Sequence, residues 1–258
     1  MTDAQLLPVI WTLASMVMAV LASLMFSPAR AAHFRLTRGG RIVEPIARLI
    51  YFVGLPYAAL LTQALSPIDI GLAGNTGPIL GWSSADWLRH LNAALIVGVL
   101  TLLPISLAAR QMARAGRPLG VDERSAGTII IDGAYAEIHW AFYRTAPLII
   151  IGDVYWATLI GLALVSVEIL VTLIRNGLGT QPEDRQSWIG QVLLLAMSAT
   201  LFILTRNVWL VAALHIVVEL ALKAWAARLA GRASAPRPIA HELPETVTIA
   251  EHSESPLV

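Results

Sequence analysis

The chain has no cysteine and a single lysine, Lys223, in 258 residues. Without cysteine there is no disulfide framework, no thiolate metal site and no cysteine nucleophile. Charge of either sign is also scarce, at 14% of residues against about 25% in a typical soluble domain. With 57% hydrophobic residues and a mean hydropathy of +0.68, that deficit points to an all-α, polytopic membrane protein. The net charge of +1 by itself says nothing about a nucleic-acid partner, and none is expected. No Gly-rich phosphate loop, no G-x-S-x-G elbow, no nucleophile triad and no internal repeat is present. Arginine standing almost everywhere for lysine suggests a prokaryotic source, and hence a plasma (inner) membrane.

What is present is a series of apolar runs, and they predict seven spans. The first is Leu6 to Phe26, too long for a signal-peptide core and without a basic n-region. The others run from about Ile46 to Ala64, Leu91 to Ala109, Gly133 to Gly152, Val154 to Ile174, Trp188 to Thr205 and Val208 to Ala227. Arg30, Arg35, Arg38 and Arg41 fall in the first loop, and Arg110, Arg114 and Arg117 follow the third span. Arg175 and Arg185 flank the loop between the fifth and sixth spans; Lys223 lies in the last turn or so of the seventh, and Arg228, Arg232 and Arg237 follow it. The positive-inside rule makes these segments cytoplasmic, with the N-terminus outside and the C-terminus inside. Residues 1–230 therefore form one transmembrane domain, and 231–258 read as a disordered cytoplasmic tail. His33 and His90 sit at span ends and read as interfacial residues.

Besides Arg48 and Lys223 near span ends, six ionisable residues fall inside these spans: Glu137, His139, Arg144, Glu168, His215 and Glu219. Each costs about 2.5–3.5 kcal/mol at membrane depth. At the helical rise per residue they lie roughly 6 to 18 Å from the cytoplasmic ends of their helices, which would put them in one layer. Glu137 and Arg144, seven apart, share a helix face, as do His215 and Glu219, four apart. His139 is about 200° from Glu137 and is expected to point elsewhere. Three carboxylates then face one arginine, so one of them must be protonated, paired with a histidine cation or bound to a metal.

Ala136-Glu137 with Arg144 resembles a modified E-E-x-x-x-R motif. Leu164-Val165-Ser166-Val167-Glu168 stands where F-x-x-x-H is expected, with glutamate for histidine. Thr205-Arg206-Asn207-Val208-Trp209 leading to His215 and Glu219 resembles H-x-x-x-N/D. On these motifs the chain resembles the CPBP family of CAAX-processing, Abi-type intramembrane proteases, over about residues 120–228. The resemblance implies a glutamate-dependent endopeptidase acting on a membrane-anchored or lipidated peptide. In it Glu137 would be the general base, His215 an oxyanion donor, and Glu168 and Glu219 would occupy the remaining motif positions beside Arg144. A glutamate at position 219 would have to be protonated to stabilise an oxyanion.

Two further readings stay open. One is a non-catalytic scaffold or accessory subunit of a larger membrane complex, in which the polar groups form a charge-neutral plug that fixes helix packing. The other is a zinc, manganese or iron site built from Glu137, Glu168, His215 and Glu219. It lacks any E-x-x-H or H-x-x-x-H spacing. The cofactor is left open, and membrane lipids are the one partner the composition itself implies.

Overall fold

A computed structural model describes residues 3–25, 34, 36–114, 124–175 and 182–233. Arg30, Arg35, Arg117 and Arg237, expected to be cytoplasmic, and His33, expected at an interface, lie outside the described residues. So does the expected disordered tail, except that its first residues continue the last helix. Among the described residues all regular structure is helical, with one isolated bridge between Ile79 and Trp82.

In chain order, α1 spans Asp3–Met25, and α2, Arg38–Leu49, continues through a π-helical turn, Ile50–Gly54, into α3, Leu55–Leu61. The short α4, Pro67–Ile70, precedes α5, Ser84–Arg114; then come α6, Ala126–Ile151, and α7, Val154–Arg175. Last are α8, Pro182–Thr205, and α9, Val208–Ala233. The starts are chemically marked. Ser125 accepts from Thr128 N and caps α6, Thr37 does the same for α2, and Ser66 with Asp69 makes a full capping box on α4. Gly152, at φ 75°, ends α6 in the left-handed conformation that favours glycine.

Helix α6 is the axis of the bundle. It packs against α1, α7, α9, the π turn and α4, while α5 covers α8 and α9 on the far side. From Ala141 to Leu148 every residue of α6 is buried. Small residues set the closest approaches, as is usual between helices in lipid. A Cβ at Gly161 of α7 would lie 2.6 Å from Arg144 Cγ, and one at Gly133 would lie 2.9 Å from Ile216 Cγ1.

Five helical segments are long and apolar enough to cross a membrane: Gln5–Ala22, Gly39–Leu61, Ser84–Gln111, Val154–Val171 and Val208–Arg228. Their outer faces are rows of exposed aliphatic residues, such as Leu88, Leu91, Leu95, Val99, Leu103 and Leu107 on α5. A continuous apolar face of this kind belongs against lipid rather than water. The chain is an integral membrane protein. Helix α6 falls outside the five because Glu137, His139, Arg144 and its other polar residues lower its hydropathy. In α8 the apolar part is only Gly190–Thr205.

The segment between α4 and α5 is folded onto the bundle. Gly71 O accepts from Val208 N at 3.0 Å, and Trp209 Nε1 donates to Leu72 O at 2.9 Å. Gly71 has φ 84°, and a Cβ there would meet Arg206 O at 2.6 Å. His90, expected at an interface, is buried beneath this segment, with Trp82 edge-on and Asn207 Nδ2 at 3.5 Å from its Nδ1.

Candidate functional site

Helix α6 sends polar groups in two directions, and each meets a different set of helices. On the side of α8 and α9, Glu137 is fully buried, at 0% exposure. Its Oε1 is 2.7 Å from His215 Nδ1 on α9 and accepts a short hydrogen bond from Ser198 Oγ on α8. Its Oε2 faces Arg144 Nη2 at 3.7 Å. One helical face thus brings Glu137 and Arg144 together, as their spacing requires.

Arg144 is 4% exposed and its guanidinium lies over the Phe202 ring, 4.0 Å from the centroid. Its Nε and Nη2, and Glu137 Oε2, have no hydrogen-bond partner among the described residues. Beside them α6, α7 and α8 leave a small, water-sized cleft lined by Trp140, Arg144, Thr158, Gly161, Leu195 and Ala199. The ring of Trp140 also packs at 5.5 Å from His215.

From His215 the polar groups continue toward the end of the bundle where α6 begins. His215 Nε2 is 3.9 Å from Glu219 Oε2, and Glu219 Oε1 is in close contact with Arg124. Arg124 Nη1 reaches Asp132 Oδ2 at 3.3 Å, whose Oδ1 pairs with Arg48 Nη2 at 2.6 Å. Glu137, Glu219 and Asp132 are therefore matched by Arg144, Arg124 and Arg48. Arg124 and Arg48, reaching in from near the starts of their spans, reduce the surplus of carboxylates inferred from the spans alone to one, Glu168, which no arginine meets in these contacts.

The other side of α6 carries His139. Its Nε2 is 3.0 Å from Glu168 Oε2 on α7, and Tyr51 donates to Glu168 Oε1 at 3.0 Å. The Tyr51 hydroxyl is also 3.3 Å from His139 Nε2 and 3.4 Å from the Tyr143 hydroxyl. Tyr143 in turn meets Ser15 Oγ of α1 at 3.2 Å. The expected single layer of polar groups is two clusters. Glu137, Arg144, His215 and Glu219 come together, whereas Glu168 joins His139, the residue expected to stand apart. The physical reason is the 200° between Glu137 and His139, which turns His139 toward α7 and the π turn.

Ser198, Tyr51, Tyr143, Arg124 and Asp132 escaped the sequence reading. Serine and tyrosine within apolar runs give no charge signal, and Arg124 and Asp132 read as connector residues. The proposed ligand set of Glu137, Glu168, His215 and Glu219 is divided between the two clusters. Among the described residues no group of three His, Asp or Glu side chains is placed to hold a metal ion. Neither the family models nor the curated proteins nor the solved structures contain a match to the chain.

Proposed function

We propose that the chain is a divergent CPBP-like membrane protein whose seven long helical segments all span the plasma (inner) membrane of a prokaryote, with the N-terminus outside and the C-terminus cytoplasmic. In this reading it is a glutamate-dependent endopeptidase that cuts a membrane-anchored or lipidated peptide. The observation that carries it is the contact between fully buried Glu137 and His215, closed at 2.7 Å and flanked by Arg144. A carboxylate held this way is oriented by His215 and Ser198 through Oε1, leaving Oε2 to act as general base. Water would give a proton to Oε2 and add its oxygen to the peptide carbonyl carbon. The carbonyl oxygen then carries the negative charge, which Arg144 would stabilise. As the C–N bond breaks, the proton held on Glu137 passes to the leaving nitrogen. A substrate segment would enter from lipid through the cleft beside Arg144.

The test compares free peptide termini in membranes of cells expressing the wild-type chain and Glu137→Gln. A new terminus present with the wild type and lost with the variant, at equal protein level, supports the reading. Identical sets of termini overturn it.

A second reading, the non-catalytic scaffold, is favoured by Glu219. Its carboxylate is tied to Arg124, where an oxyanion site would need a free donor. In that case the wild-type chain purifies in mild detergent with a stoichiometric membrane partner, and elution alone counts against it.

A further inference from the structure

The cluster around His139 has its own acid, its own base and its own access to lipid, and the peptidase reading uses none of them. We propose that His139 and Glu168 form a second site, a membrane-embedded proton-exchange pair reached from the bilayer between α1 and α7. Three observations converge on it.

The first is access. The Glu168 side chain is 21% exposed, whereas Glu137 is sealed at 0%. Glu168 lines a small, water-sized cleft whose other lining residues are Met16, Ala19, Val20, Val167 and Val171. That lining is entirely apolar, so what reaches the carboxyl comes through hydrocarbon.

The second is charge. His139 Nδ1 is buried with no hydrogen-bond partner among the described residues. Nε2 is the ring atom that faces Glu168, at 3.0 Å. With a neutral imidazole donating from Nε2, the pair carries one negative charge in an apolar setting, which is unfavourable at membrane depth. One added proton neutralises it, as a carboxylic acid beside imidazole or as carboxylate beside imidazolium. No other bond forms or breaks.

The third is the way the pair is held. Tyr51, which bonds both members, sits on the π turn Ile50–Gly54, a local geometry found disproportionately at functional sites. The groups facing Glu168 are Tyr51 from that turn and His139 and Tyr143 from α6, with Ser15 of α1 behind Tyr143.

The experiment uses the intact protein in lipid nanodiscs and a hydrophobic carbodiimide. A protonated carboxyl gives its proton to one reagent nitrogen while the carboxylate oxygen bonds to the central carbon. All reagent atoms stay on the residue, so mass spectrometry locates the adduct. The expected result is an adduct on Glu168 and none on Glu137, with labelling that falls about tenfold per pH unit above its midpoint. A water-soluble carbodiimide is expected to leave Glu168 unlabelled. Tyr51→Phe, which removes a donor to the carboxylate, should move the labelling midpoint upward by about one pH unit. Absence of an adduct on Glu168 in the folded wild type at every pH overturns the proposal. So does equal labelling by the water-soluble reagent, or an unmoved midpoint in Tyr51→Phe. None of these outcomes depends on whether Glu137 cuts peptides.

Discussion

Glu137 and Glu168 are both carboxylates in one bundle, yet their surroundings give them different work. Glu137 is matched by an arginine and closed off, while Glu168 has phenol and imidazole donors and a route to lipid. If the two clusters are separate, their energies should add. Tyr51→Phe combined with Ser198→Ala should destabilise by the sum of the single changes to within about 0.5 kcal/mol. Tyr51→Phe combined with His139→Gln should instead show a coupling of about 0.5 kcal/mol or more, in the range measured between hydrogen-bonded groups in membrane bundles. Reversible unfolding in mixed micelles measures both cycles. At this scale the sequence was a good guide to faces and a poor guide to partners. The seven-residue spacing of Glu137 and Arg144 put them together correctly, and the 200° offset turned His139 away correctly. What lies on the other side of His139 depends on helix packing, which spacing along one helix does not contain. Arg124 and Arg48 were overlooked for a related reason. Arg124 precedes its span and Arg48 lies in the first turn of the second, so a count restricted to deeper positions leaves out long side chains that reach in to Glu219 and Asp132.

The elements meet where side chains are missing. Gly161 lies so close to α6 that a Cβ would come within 3.0 Å of Arg144 Cα, an atom that cannot swing away. Gly161→Ala should therefore push α7 off α6 and cost about 1–3 kcal/mol, the usual range for overpacking. Gly190 is the internal control. It sits in α8, a Cβ there meets nothing within 4 Å, and Gly190→Ala should stabilise by about 0.5–1 kcal/mol through helix propensity alone. The same unfolding titration reads both, and a cost at Gly190 equal to that at Gly161 would contradict the packing described. Helix positions were legible from hydropathy, since each expected span has a helix over it. The π turn was not. It places one extra residue in a turn, which shifts the helical phase by about 100° and delivers Tyr51 to the cluster from a face that regular periodicity assigns elsewhere. The start of α6 was also missed, because Val121 to Asp132 reads as a polar-to-apolar connector although Ser125 caps a continuous helix from Ala126.

For the whole molecule the decisive question is how the bundle sits in the bilayer, and the lack of cysteine makes it directly measurable. Five helices satisfy the length and hydropathy needed to cross. The proposal that α6 and α8 cross with them rests on packing: α6 is flanked by helices long and apolar enough to span, and α8 packs against α5, α7 and α9. Seven crossings alternate the loops and put the α4–α5 segment outside, with the end of α5 and the start of α6 inside. Asn75 is exposed in the first of these regions and Gln111 in the second. Since the natural chain contains no thiol, Asn75→Cys and Gln111→Cys each introduce a unique one. A membrane-impermeant maleimide added to intact spheroplasts should label Asn75→Cys at once and Gln111→Cys only after permeabilisation. The reverse pattern would invert the topology. It would also move the ion-pair chain through Arg48, Asp132, Arg124 and Glu219 to the outer surface, and any substrate of Glu137 would then have to be presented from the opposite side of the membrane. Both residues labelling from one side would mean that α5 does not cross, which its long row of exposed leucines argues against.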